Sequence, residues 1–275
     1  MQVNAARPVM VGIDGSKTAR RAALWAIDEA IARDAPLSLI HVVGRDGGGG
    51  NAAVAHAEHV LHMAWKAVTD TGKSVDLETE ILEGEPAQAL IDASARSVLM
   101  CLGHKGTHDR PSGGRGATAV AVLRDAHSPV AMVRRCADHT DPSYHRWIVV
   151  VLDESHESHA VFQTAYAEAL LRRSPLLVLA AWPAQDCASC DDPARECTRA
   201  RLARYIDETS TDPADVRVCV LAMPSDLLAM MRQSASIDQL LVIGAGRNDL
   251  VDQVTSAEGR KVLRKSWCSL LVVRE

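Results

Sequence analysis

The sequence repeats itself once, and that repeat constrains the fold more than any other feature. Val9-Met10-Val11-Gly12-Ile13-Asp14-Gly15-Ser16 lies over Ile148-Val149-Val150-Val151-Leu152-Asp153-Glu154-Ser155 at an offset of 139. At the same offset Ala26, Glu29 and Ala30 fall on Ala165, Glu168 and Ala169, and Pro36-Leu37 on Pro175-Leu176. Further on, Val98–Gly103 matches Gln239–Gly244 at 141, and Val130–Arg134 matches Leu270–Arg274 at 140. An offset that drifts by only two residues across a whole domain length is the mark of a duplicated unit. A chain of 275 residues has room for two such units.

Within the first copy, short apolar runs alternate with stretches of helical period. Val9–Ile13 reads as a buried strand, and Ala22, Ala23, Ala26, Ile27, Ala30 and Ile31 form an apolar helical stripe after it. Leu37–Val43 is the second strand, followed by glycine-rich Gly44–Gly50. A helix is expected over about 53–71, closed by Gly72, then a strand over Val75–Leu82. Pro86 suits the first position of a helix. Val98–Leu102 is the fourth strand, a helix is expected near 117–126, and Val130–Arg134 is the fifth strand. Such alternation implies right-handed crossovers and a parallel sheet. The fold class is therefore α/β, as two tandem doubly wound parallel five-stranded sheets. With 3% aromatic residues, the cores must be packed by Ala, Val, Leu and Ile, which suits strands covered on both faces. The expected domains are residues 1–137 and 145–275, with polar, proline-containing 138–145 as the linker.

Charge excludes some function classes. Residues 1–137 carry 15 basic and 15 acidic side chains, and residues 138–275 carry 15 and 20. Neither half is a basic nucleic-acid surface. Arg20-Arg21 and Arg172-Arg173 are surface pairs too small for such a footprint. No apolar run reaches the roughly 18 residues of a membrane span, and the N-terminus has no signal-peptide pattern. Seven cysteines without framework spacing suit reduced thiols, so a cytoplasmic protein is expected.

In a doubly wound sheet, ligands bind beyond the carboxyl ends of the strands, where strand order reverses. Two segments end there. In Gly12-Ile13-Asp14-Gly15-Ser16, Asp14 either faces the crevice or, with Ser16, simply caps the next helix. The spacing is not that of a Walker A loop. The second segment is Gly103-His104-Lys105-Gly106, then nine residues, then Gly116-Ala117-Thr118. Glycines let backbone N–H groups approach an anion, and a helix beginning near Ala117 adds a positive dipole end. Lys105, Arg110 and Arg115 add attraction, and His104 and His108 are expected to add charge at mildly acidic pH. The bland alternative is a glycine-rich surface loop.

These residues resemble the universal stress protein family. Its members share V-x-G-x-D-G-S on strand one and G-x-P after strand three, matched here by Gly12-Ile13-Asp14-Gly15-Ser16 and Gly84-Glu85-Pro86. The ATP-binding branch has G-x2-G-x9-G-(S/T), matched by Gly103, Gly106 and Gly116. The resemblance covers nearly the whole chain as two tandem copies, like forms common in actinobacteria. It implies an adenine nucleotide alpha hydrolase-like fold with strand order 3-2-1-4-5. It implies ATP, with or without Mg²⁺, between strands one and four. It also implies association through strand five, as a homodimer or an intramolecular pseudo-dimer, and leaves any protein partner unnamed. By that analogy Asp14 meets the ribose or metal side, and Val42 offers backbone groups to adenine. Gly12, Ile13, Gly103, Lys105, Gly106, Arg115, Gly116, Ala117 and Thr118 complete the site. One departure is Ala117, where the family has a hydroxyl; a lost hydrogen bond there weakens binding about tenfold. Thr118 stands about 100° further round the helix.

The second copy departs further. Gly12 becomes Val151, Gly15 becomes Glu154, and the loop reads Gly244-Ala245-Gly246-Arg247. Asp249, Asp252 and Glu258 are expected to face the phosphate position and repel it. Asp153 is read as a helix cap, and the whole copy as a poor nucleotide site with a structural role. Cys187, Cys190 and Cys197 lack the second ligand pair of a strong zinc signature. His56, His59 and His62 share one helix face, read as an exposed polar face rather than a metal site. No Ser-His-Asp ordering or acidic metal cluster appears, so the expected chemistry is at most slow ATP hydrolysis. The competing expectation is an interaction module that has lost nucleotide binding in both copies.

Overall fold

The computed structural model describes residues 6–44, 51–106, 117–134, 147–153, 157–180, 204, 205, 208, 216–222, 227–233, 239–265 and 268–274. The chain divides into two compact units, Met1–Ala137 with Ser269–Arg274, and Asp138–Cys268.

The first unit begins with β1 (Val9–Gly12), whose first three side chains are buried. Helix α1 (Lys17–Ala32) starts where Ser16 caps it, its Oγ accepting from the Ala19 N–H at 3.0 Å. The chain reaches that cap through Gly15 at φ 85°, a left-handed turn that favours glycine. Ala22, Ala23, Ala26 and Ala30 are fully buried, so small side chains let α1 lie close on the sheet. Next come β2 (Leu37–Val43), α2 (Asn51–Thr69), β3 (Leu77–Glu83), α3 (Pro86–Ser94), β4 (Leu99–Gly103), α4 (Ala117–Asp125) and β5 (Val130–Val133). Pro86 opens α3 after Glu85, whose carboxylate accepts from the Gln88 N–H at 2.9 Å.

β1 pairs in parallel with β2 on one side and with β4 on the other. β3 joins β2 and β5 joins β4, also in parallel. The order β3-β2-β1-β4-β5 is the expected 3-2-1-4-5, and it reverses between β1 and β4. The carboxyl ends of those two strands are Gly12 and Gly103. A further strand, β10 (Cys268–Val273), runs antiparallel to β5 with Leu271 opposite Ala131. Arg274 follows it and donates from Nη2 to the carbonyls of Leu123 and Arg124, capping the end of α4.

The second unit repeats the plan. β6 (Trp147–Leu152) pairs in parallel with β7 (Leu176–Ala180) and with β9 (Gln239–Gly244), and β7 pairs with β8 (Val218–Ala222). Its described helices are α5 (Ser158–Arg172), α6 (Leu227–Gln233), α7 (Asn248–Thr255) and α8 (Ala257–Lys265). The first helix of each unit carries the same ion pair one turn from its end. Glu29 pairs with Arg33, and Glu168 pairs with Arg172 at 2.9 Å, both carboxylates being buried. No helix among the described residues is long and apolar enough to cross a membrane.

Candidate functional site

In the first unit the β1–β2 register ends at Gly12 opposite Ile40. Ile13 extends it by one bond, its N–H donating to the Ile40 carbonyl at 2.7 Å. The Ile13 carbonyl lies 2.6 Å from Nδ1 of His41. Both backbone groups of Ile13 are thereby engaged by β2, and its side chain is in the core. Along β2, Leu37 and Val43 bond toward β3, whereas Pro36 and Ile40 bond toward β1. A strand residue in a parallel ladder points both its N–H and C=O to one side. Val42 therefore turns its backbone to the β1 side, two residues past the last register pair. It stands at the edge of the crevice with amide and carbonyl directed into it.

Asp14 follows Ile13. Its Oδ1 accepts from the Ser16 N–H at 2.9 Å, a local turn that fixes the carboxylate. Oδ2 lies on the loop side: a Cβ placed on Gly106 would come within 2.9 Å of it. Gly106 is glycine because the loop backbone approaches this carboxylate. Gly103 is glycine for a different reason. A Cβ there would sit 2.7 Å from the Ala19 nitrogen and from Thr18. The start of α1 packs onto the end of β4 at that point, and Thr18 Oγ1 donates to the Lys105 carbonyl. Gly12 faces Leu102, whose Cδ2 would be 2.7 Å from an added Cβ. Lys105, Gly106 and Ala117 are exposed and Thr118 is half-buried. Arg110, Arg115, Gly116 and His108 lie outside the described residues, as do Cys187, Cys190 and Cys197.

His104 behaves otherwise than the sequence suggested. Its Nδ1 is buried without a hydrogen-bond partner. Burial first, and then the charges of Arg134, Arg21 and Lys105, lower its pKa to about 4. It stays neutral at mildly acidic pH and adds no charge there. His56, His59 and His62 are all exposed on α2. The His56 ring meets His41 edge-on at 6.1 Å, and His62 stacks on Trp65 at 6.5 Å. Among the described residues, no group of three or more His, Cys, Asp or Glu is placed to hold a metal.

The equivalent crevice of the second unit is filled by its own side chains. Arg247, at the position of Gly106, donates from Nη1 to Asp153 Oδ2 at 2.9 Å. The same guanidinium grips Asp249 through Nε and Nη2, both at 2.9 Å. Those bonds hold the Asp249 carboxyl below its usual range. Asp249 thus answers Arg247, and Glu258 pairs with Arg232 at 3.0 Å, so these two carboxylates have partners of their own. Asp153 also accepts from Ser158 Oγ at 2.8 Å. Glu157, which the sequence reading passed over, accepts from the Gly246 N–H at 2.9 Å. A Cβ on Gly246 would come within 2.5 Å of Glu157 Oε2. The repeat aligns Glu157 with Thr18 at the offset of 139, but shows neither residue's partner in the loop.

The described residues of the first crevice fit an adenine nucleotide in three respects: a loop backbone at Gly106 close against a carboxylate, that carboxylate fixed by the Ser16 N–H, and the strand edge at Val42 suit phosphates, ribose and base respectively.

Comparison with known proteins gives one family for both halves. The model described as Universal stress protein family matches residues 5–134 and again 145–274. A universal stress protein of Mycobacterium tuberculosis is 36% identical over 273 residues, covering 96% of this chain and 95% of its own. A second from the same organism is 33% identical over 278 residues, covering 98% and 96%. The crystal structure of a universal stress protein from Archaeoglobus fulgidus shares the fold at 14% identity, with a TM-score of 0.68 and coverage of 98% and 97%.

Proposed function

The chain belongs to the universal stress protein family, and from that membership we propose that its first domain binds an adenine nucleotide, ATP, whose occupancy is the signal it carries in the stress response. The observation that supports this reading most is the meeting of Gly106 with Asp14 at the point where strand order reverses. Backbone amides of the loop and the start of α4 would take the phosphates. Asp14 would take the ribose hydroxyls, and the backbone of Val42 the adenine edge. A Mg²⁺ arriving with ATP would be held chiefly by phosphate oxygens, as that ion usually is. Occupancy would act by favouring one arrangement of the loop over another. The second domain, whose crevice holds Arg247 and Glu157, would bind nucleotide weakly or not at all.

Calorimetry and thermal unfolding test this together. A ligand that binds only the folded state stabilises it by about 2.7 kcal/mol at a concentration of 100 Kd. ATP is expected to bind one site per chain and raise the melting temperature. Asp14→Ala is expected to remove both effects while leaving the ligand-free protein folded. No heat and no shift with the wild-type chain would overturn the proposal. That result would favour the reading prompted by Ala117, an interaction module without nucleotide.

A further inference from the structure

The same two positions of the repeat touch in both domains, with opposite polarity. In the first, Thr18 Oγ1 donates to the carbonyl of Lys105. In the second, Glu157 Oε2 accepts from the N–H of Gly246 at 2.9 Å. Position 18 corresponds to 157, and position 105 to 246, by the offsets of the flanking strands. A hydroxyl thus meets a loop carbonyl in one copy, and a carboxylate meets a loop amide in the other.

No peptide bond among the described residues is cis, and in a trans peptide the C=O points opposite to the following N–H. With the Lys105 carbonyl turned to Thr18, the Gly106 N–H is directed away from the start of α1. The loop then presents a donor that is not spent on the helix. In the second domain the loop spends amides within the chain. The Gly246 N–H, at the position of the Lys105 N–H, is held by the Glu157 carboxylate, and the Arg247 N–H, at the position of the Gly106 N–H, bonds to the Gly244 carbonyl at 3.3 Å; a charge-assisted bond such as the first is about twice as strong as a neutral one.

We propose that the residue at the start of each domain's first helix, Thr18 or Glu157, decides whether the glycine loop offers its amides to an anion or keeps them within the chain. Thr18 is a positioning residue for phosphate binding in the first domain. Glu157 is an internal substitute for phosphate in the second. The part concerning ATP rests on the proposed function; the part concerning the loop amides does not.

The experiment uses the full chain labelled with ¹⁵N. In Glu157→Ala, the Gly246 amide resonance is expected to shift and its exchange with solvent to quicken about tenfold. A Gly246 amide that neither shifts nor loses protection would overturn the role of Glu157. In Thr18→Val, the Gly106 amide is expected to shift and ATP binding to weaken about tenfold, while Thr18→Ser restores both. A merely structural role for Thr18 would lower stability without moving the Gly106 amide or responding to the serine variant. Wild-type affinity in Thr18→Val, with an unmoved Gly106 amide, would overturn the role of Thr18. If the wild-type chain binds no ATP, the proposed function fails, and the two amide measurements still decide this inference.

Discussion

The two domains keep one scaffold and differ in how one crevice is lined. Where the first has Thr18, Lys105 and Gly106, the second has Glu157, Gly246 and Arg247. The consequence is an exchange of partners. Asp14 meets loop backbone at Gly106, whereas Asp153 meets the guanidinium of Arg247. The loop carbonyl is held in the first domain, and the loop amide in the second. The different lining did not require a different fold, because these three positions lie beyond the strand ends. The strands align throughout, and Ala26 and Ala30 are matched by Ala165 and Ala169, whereas Ala22 and Ala23 become the larger apolar Val161 and Phe162. What the second domain has instead is an Arg247 guanidinium paired with Asp153 and Asp249, and a Glu157 carboxylate on the Gly246 N–H.

The strongest way to break this comparison is to carry one substitution across. Gly106→Arg places in the first domain the residue that fills the second. The guanidinium is expected to reach Asp14 as Arg247 reaches Asp153, and to occupy the space the phosphates need. Binding of ATP should fall by three orders of magnitude or more, about 4 kcal/mol. Calorimetry reads this directly, with circular dichroism confirming that the fold is kept. Near wild-type affinity would mean that Arg247 is not what closes the second crevice.

A second test concerns the scaffold, where the domains look most alike. The pair Glu29–Arg33 and the pair Glu168–Arg172 occupy equivalent turns, but the two arginines differ in exposure. The Arg33 side chain is 29% exposed and that of Arg172 is 5% exposed. Removing one partner of a fully buried pair costs about 3–5 kcal/mol. Arg172→Ala is expected to destabilise by about 3 kcal/mol. Arg33→Ala is expected to cost about half as much, since water already reaches that end of the pair. Urea unfolding of the two variants measures the difference, and equal costs would show that the two helices are more alike than their exposures indicate.

Much of the scaffold was legible in the sequence. β2 runs over Leu37–Val43 as its apolar run indicates, and Pro86 opens its helix. Boundaries moved where pairing decides them. β1 stops at Gly12 because its ladder with β2 stops opposite Ile40. β3 starts at Leu77 because Leu37 opens that pairing, its N–H bonding to Asp76. The glycines were legible as a set, but not their separate reasons. Gly103 is required by the approach of α1, and Gly106 lies against Asp14. Thr18 and Glu157 were not legible, since a polar residue at the start of a helix reads as solvated surface. Their loop partners lie 87 and 89 positions away in the chain. His41 escaped for a related reason: its hold on Ile13 depends on strand register, which the sequence pattern does not display.

The smallest expected effect comes from His104, whose counterpart in the second domain is Ala245, with nothing to titrate. Sequence alone makes His104 a cation below neutrality. The fold reverses this by burying the ring and bringing Arg134 and Arg21 near it, lowering the pKa to about 4. The unfolded chain takes up a proton at this position near pH 6.5, while the folded domain does not do so until about pH 4. Between those limits the unfolded state holds more protons, so stability rises with pH across the window and is lost as pH falls through it. Screening at the exposed edge of the ring reduces the effect to about 1–2 kcal/mol. His104→Ala gives the first domain the residue of the second, and the loss of stability between pH 7 and pH 4.5 should shrink by that amount. Urea midpoints for wild type and variant across that range measure it. Parallel pH profiles would mean that His104 titrates in the folded domain as it does in the unfolded chain. The cations near it would then be too well solvated to matter, and the loop would carry the charge at acidic pH that the second domain lacks.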